Sequence, residues 1–119
     1  MTTTTRDLKV LSSRLANKVA IVTGGGSGFG EAISKRFAEE GCKVIVADLD
    51  PVGGERVATY HEHSMHFVKM NVALEEDWEA VVENTLGRWG RIDVVVNNAG
   101  TSYKNKVSLL VFSCLFLEK

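Results

Sequence analysis

Cysteine is scarce in this chain: two residues in 119, Cys42 and Cys114. A single pair cannot build the disulfide framework of a small secreted domain, so a reducing compartment fits and both thiols read as small buried hydrophobes. An excess of either charge is lacking too. The formal net charge is -1, which gives no electrostatic reason to expect nucleic acid or an anionic membrane as partner. Long hydrophobic runs are missing as well. The longest, Val107–Leu117, falls well short of the roughly 20 residues a bilayer-spanning helix needs. The Thr-rich start, Met1–Ser13, carries no apolar core for a secretory signal. Residues 1–14 therefore read as a flexible leader, and a cytoplasmic location is expected.

What is present suits one soluble domain with a modest core: 45% of residues are hydrophobic and 24% charged. Lys18–Thr23 reads as a strand buried on both faces, because its apolar run is continuous rather than alternating. The glycine-rich turn Gly24–Gly30 follows, then a helix over Glu31–Glu40 with Ile33 and Phe37 on one face, stopped at Gly41. Lys43–Asp48 is a second strand. Pro51 opens a polar helix to about Glu62, and Met65–Met70 is a third strand. The strongest helical pattern is Glu75–Trp89, with Trp78, Val81, Val82, Leu86 and Trp89 at spacings of three and four. Glu75, Glu76 and Asp77 suit its positive end, and Gly90 closes it. Ile92–Asn97 is a fourth strand, ending in the turn Asn97-Asn98-Ala99-Gly100.

Strands alternating with helices imply an α/β fold: a Rossmann-like, doubly wound parallel sheet in three layers. Right-handed crossovers give strand order 3-2-1-4, with the winding reversing between strands 1 and 4. Ligands of such sheets sit outside the carboxyl ends of the strands at that reversal, where Gly24–Gly30 and Asn97–Gly100 meet. Bare glycines let a diphosphate approach the backbone, and the following helix N-terminus offers free N–H groups and a positive dipole end. Asp48, at the end of the second strand, can accept hydrogen bonds from both ribose hydroxyls of an adenosine, while its charge repels a 2′-phosphate. No Arg or Lys stands in the turn or just after Asp48 to welcome that phosphate, so NAD is preferred over NADP. The plain alternative for Asp48 is a strand-end cap.

Thr23–Gly30, Asp48, Asn71-Val72 and Asn97-Asn98-Ala99-Gly100 together resemble the N-terminal half of a short-chain dehydrogenase/reductase, over about residues 15 to 105. The resemblance implies an NAD(P)-binding segment over residues 15–106, in which Gly24, Gly25, Gly26, Ser27, Gly28, Phe29 and Gly30 form the cofactor turn. Gly24, Ser27, Phe29 and Gly30 would meet the diphosphate and nearby ribose, mostly through backbone. Asp48 and Leu49 would hold the adenosine ribose, and Asn71 and Val72 would frame the adenine. The family more often has Asp where Asn71 stands, and an amide oxygen can still accept from the adenine amine. Asn98, Ala99 and Gly100 would line the ribose and steady the fourth strand. The implied activity is NAD-dependent alcohol–carbonyl interconversion, with oligomer formation left to the full-length family.

The resemblance also implies a catalytic Ser and a Tyr-x-x-x-Lys, and these are lacking. Four residues after Tyr60 stands Ser64, and four after Tyr103 stands Val107. No catalytic residue is therefore assigned, and the chain reads as a truncated dinucleotide-binding half without turnover of its own. The alternative is a non-catalytic nucleotide-binding or protein-interaction module. Residues 107–119 form a divergent apolar tail, expected to cover the Trp78/Trp89 face or to extend the sheet past an otherwise open fourth strand. Read from the pattern, it is a buried strand or helix completing a fourth crossover, or else an aggregation-prone run. His61, His63 and His66 read as solvated loop histidines rather than a metal site, since their spacing does not bring three rings to one side of an element.

Overall fold

Val19–Thr23 (β1) is buried at every position, as a strand sandwiched between two helical layers must be. The computed structural model describes residues 14–99 and the backbone of residues 108–111. After β1 come α1 (Gly28–Glu39), β2 (Lys43–Asp48), α2 (Pro51–Ala58), β3 (Met65–Lys69), α3 (Glu75–Trp89), β4 (Val94–Asn97) and β5 (Ser108–Val111). The sheet order is β3-β2-β1-β4-β5. The first four strands are parallel, with β1 pairing β2 on one side and β4 on the other. That is the expected 3-2-1-4 winding.

Alternate side chains of β1 leave on opposite faces and define two apolar layers. Ala20 and Val22 join Val44, Val46, Ala38 of α1, and Val57 and Ala58 of α2 on one face. Ile21 joins Ile45, Val95 and Val81 of α3 on the other. Trp78, Val82, Leu86 and Trp89 pack half-buried against the second layer, so the predicted apolar stripe of α3 is the face it buries. Gly90 ends that helix in the left-handed conformation, φ 80°.

The element boundaries differ from expectation in instructive ways. Helix α1 begins at Gly28 rather than Glu31, with extended Ser27 before it. Glycine propensity disfavours such a start by about 1 kcal/mol per residue, but packing of Gly30 against Gly24 overrides it. Helix α2 ends at Ala58 and tightens into a 3-10 turn, Thr59–His61, where the Thr59 hydroxyl donates to the Arg56 carbonyl at 2.7 Å. Strand β4 starts at Val94, because Asp93 is engaged just before it: its carboxylate accepts from the Val19 N–H at 2.9 Å.

Among the described residues, the tail supplies the one antiparallel strand. β5 pairs β4, with Asn97 opposite Ser108 and Val94 opposite Val111. Residues 108–111 thus extend the sheet, and the open edge expected at β4 is covered. The expected fourth crossover is corrected by this pairing. Only residues 98–107 lie between the paired Asn97 and Ser108, whereas a parallel crossover takes about a dozen residues or more. Residues 1–13 of the leader, residues 100–107 and the end of the tail from 112 lie outside the described residues. Among the described residues, no helix is long and apolar enough to cross a membrane.

Candidate functional site

Beyond the carboxyl end of β1 the chain is held turn by turn. The Gly24 and Gly25 N–H groups donate to the Ala47 carbonyl at 2.7 and 3.3 Å, tying the turn to β2. The Gly26 N–H donates to Asp48 Oδ2 at 2.9 Å. Asp48 Oδ1 accepts from the Asp50 N–H, also at 2.9 Å. The carboxylate therefore caps its strand end and braces the glycine turn at once. An ionised carboxylate offers about four lone-pair sites, so both oxygens keep acceptor capacity toward the cavity.

The glycines divide by task. A Cβ on Gly30 would lie 2.0 Å from the Gly24 carbonyl oxygen, and one on Gly24 (φ +66°) would lie 2.9 Å from the Ala99 Cα. On Gly26 it would meet the Gly54 nitrogen at 2.9 Å, and on Gly25 the buried Ser34 hydroxyl at 3.0 Å. Gly24, Gly26 and Gly30 need glycine because backbone approaches backbone, and Gly25 because the buried Ser34 hydroxyl and the Val22 carbonyl crowd it. Gly28 (φ +58°) is different, for nothing lies within 4 Å of its missing side chain. The turn is packed tight behind and open in front.

Ser27 caps α1 with extended backbone, yet its side chain makes no capping hydrogen bond. The first-turn N–H groups consequently lack the usual side-chain partner at a positive dipole end, where Ser27, Gly28 and Phe29 are exposed and Gly30 is buried.

A second wall comes from β4. The wholly buried Thr23 hydroxyl oxygen accepts from the Asn98 and Ala99 N–H groups at 2.9 and 3.0 Å. Asn98 Nδ2 donates to the Gly24 carbonyl at 3.3 Å. A third wall follows β3, where the first turn of α3 holds the loop. Asp77 Oδ2 accepts from the Asn71 N–H at 2.9 Å, and Trp78 Nε1 donates to the Val72 carbonyl at 2.9 Å. Asn71 Oδ1 accepts from the Ala73 N–H at 2.9 Å, so the oxygen assigned to an adenine amine already has one partner.

These walls enclose a cavity of about 470 Å³ lined by Gly24, Ser27, Asp48, Leu49, Asn71, Val72, Asn98 and Ala99, all anticipated, with Met70 and Ala73 besides. Gly25, Gly26 and Gly30 are buried supports behind it, Gly28 is exposed, and Phe29 is 63% exposed. Gly100 lies outside the described residues. Met70 was legible as the residue that ends a strand at the ligand-facing edge of the sheet.

Arg56 and Glu31 gave no signal in the sequence. Arg56 forks onto both Glu31 oxygens at 3.0 and 3.1 Å, and its Nη2 also donates to the Gly26 carbonyl at 3.1 Å. Arg56 first, then Lys35 at 2.8 Å, hold the Glu31 carboxyl down at about 2. Elsewhere, burial and then the Asp93 charge push the Cys42 thiol up to about 12.

His61 and His63 are exposed, but His66 corrects the loop reading. It sits in β3, half-buried, with Nε2 3.0 Å from Arg88 Nη2. Burial and the Arg88 charge lower its pKa. Among the described residues no group of His, Cys, Asp and Glu is arranged to hold a metal.

A nicotinamide dinucleotide fits what is present: a glycine cradle that side chains would fill, an uncapped helix N-terminus for a diphosphate, and a carboxylate beside it for a sugar. Fold and site together define a doubly wound α/β sheet whose winding reversal carries residues that fit a dinucleotide. The chain belongs to the short chain dehydrogenase family, whose model matches residues 18–112. It is 45% identical over 91 residues to the sex determination protein tasselseed-2 of Zea mays, covering 76% of this chain and 27% of that protein. It is 33% identical over 111 residues to secoisolariciresinol dehydrogenase of Forsythia intermedia, covering 92% and 40%. Among solved structures it resembles the 3-ketoacyl-(acyl-carrier-protein) reductase of Brucella melitensis complexed with NADH. That match has 44% identity and a TM-score of 0.72, covering 77% of this chain and 38% of that one. The chain thus spans less than half the length of these relatives. The kinship with NAD(P)-dependent oxidoreductases rests on this shared segment.

Proposed function

We propose that the chain is the NAD-binding half of an oxidoreductase that interconverts an alcohol and a carbonyl compound. The observation that carries this reading is the uncapped N-terminus of α1, set behind a glycine turn that opens onto a cavity walled by Asp48 and Asn98. In this reading the N–H groups of Ser27, Phe29 and Gly30 bind the diphosphate, and Gly24 keeps the approach clear. Asp48 and Leu49 take the adenosine ribose, Asn71 and Val72 flank the adenine, and Asn98, Ala99 and Gly100 follow the second ribose. The bound nicotinamide would supply a hydride acceptor or donor. An NADH-bound relative and a relative named as a dehydrogenase support the assignment.

NAD is preferred over NADP because the Asp48 charge opposes a 2′-phosphate at the ribose it would hold. Arg56, whose Nη2 donates to the Gly26 carbonyl, has its fork engaged by Glu31. The sequence has Ser64 and Val107 four residues after its two tyrosines, so this chain binds the cofactor without turning it over. A cytoplasmic location accords with this reading. Fluorescence titration tests it: NADH binds more tightly than NADPH, and Asp48→Ala narrows the gap. Equal affinities in the unmodified chain would remove Asp48 from its role, and robust oxidation of secondary alcohols would overturn the claim of no turnover.

A further inference from the structure

The Gly26–Ser27 peptide is gripped from behind. Its carbonyl oxygen accepts from Arg56 Nη2 at 3.1 Å, and the residue's own N–H is held by Asp48 Oδ2 at 2.9 Å. The carbonyl of Gly26 and the N–H of Ser27 belong to one trans peptide unit and point in opposite directions. With the guanidinium on the carbonyl side, the Ser27 N–H is turned the other way. Ser27 lines the cavity, and Arg56 does not. A cation bonded to an amide oxygen also polarises that amide and strengthens its N–H as a donor.

Arg56 is itself aimed by Glu31, which lies in the first turn of α1 and receives both guanidinium branches. A bidentate fork fixes the plane of the guanidinium as a single contact would not. The remaining donor then falls on Gly26. Glu31, Arg56 and the Gly26 carbonyl form one relay from α1 through α2 to the phosphate turn.

We infer that Arg56 is a positioning residue for diphosphate binding, acting through the Gly26–Ser27 peptide, and that Glu31 acts only through Arg56. This inference rests on the nucleotide reading above. Its effect falls on the diphosphate and spares the adenosine half, which is held by other walls of the cavity.

Calorimetric titration of the chain with ADP and, separately, with adenosine tests it. Arg56→Ala is expected to weaken ADP about threefold to tenfold and to leave adenosine unchanged. Adding Glu31→Gln to Arg56→Ala is expected to cost nothing further, because the two sites share one route. Equal losses for ADP and adenosine, no loss for ADP, or an additive loss in the double variant would each overturn the inference. Should Arg56→Ala unfold by circular dichroism, Glu31→Gln alone carries the test, with a smaller loss confined to ADP. If the unmodified chain fails to bind ADP, the nucleotide reading falls and takes this inference with it. If the unmodified chain binds ADP and Arg56→Ala binds it equally, only the inference falls.

Discussion

The Thr23 hydroxyl oxygen lies 2.9 Å from the Asn98 backbone nitrogen, joining residues 75 apart at the point where the sheet reverses its winding. The same oxygen receives the Ala99 N–H, so one wholly buried hydroxyl closes the end of β4 against the end of β1. Thr23→Val keeps the shape and strands both donors. An unpaired buried N–H costs about 1–3 kcal/mol; these two belong to half-buried residues, so the variant is expected to lose about 1–3 kcal/mol in total in urea denaturation, whereas Thr23→Ser stays close to the unmodified chain. A loss too small to shift the urea midpoint would mean that water replaces the hydroxyl.

Gly28 and Gly30 stand two residues apart in one turn and have opposite tolerances. Gly28→Ala meets open space and bears only the cost of a left-handed backbone, about 1–2 kcal/mol. Gly30→Ala places a methyl 2.0 Å from a backbone oxygen that has no side chain to move aside. Thermal melts are expected to rank Gly30→Ala well below Gly28→Ala. The reverse order would contradict the packed-behind, open-in-front geometry.

The Glu31 carboxyl is held at about 2 against an ordinary 4.5, by Arg56 and then Lys35. A folded-state value below the unfolded one stabilises the fold above about pH 4.5, and that contribution fades as pH falls toward 2. Both partners are partly exposed, so the effect is modest. Glu31→Gln is expected to flatten the stability profile across this window. Superimposable profiles for the two proteins would show that the fork does not persist in solution.

Cys42 is fully buried, and its thiol is pushed up to about 12, so it stays protonated and unreactive at neutral pH. Peptide mapping after iodoacetamide treatment is expected to find Cys42 unmodified in the native chain and labelled in denaturant. Labelling under native conditions would mean that α1 and β2 separate readily.

The parts of this molecule written in local pattern were legible in advance. The continuous apolar run of β1, the three-and-four spacing along α3 and the acid ending β2 each follow from a period or a position. The start of α1 was not, because glycines at 28 and 30 disfavour a helix locally, and the close approach of Gly30 to Gly24 is a contact that no local pattern announces. A tail that extends the sheet was among the expectations, but the antiparallel direction of β5 was missed: an apolar run declares burial, while strand direction depends on how few residues connect it to β4. Arg56 escaped notice because its importance lies in a three-way contact among α1, α2 and the turn, and nothing in the spacing of Glu31 and Arg56 announces it. The candidate site was readable where chemistry sits at strand ends and unreadable where one side chain reaches across elements.

At the centre of the account, uncapped N–H groups behind the glycine turn receive a nucleotide diphosphate. Isothermal titration of the folded chain with NADH measures this directly. The account predicts a saturable one-to-one heat that Gly30→Ala abolishes. A folded chain that evolves no heat with NADH, or the same heat with and without that substitution, would contradict it.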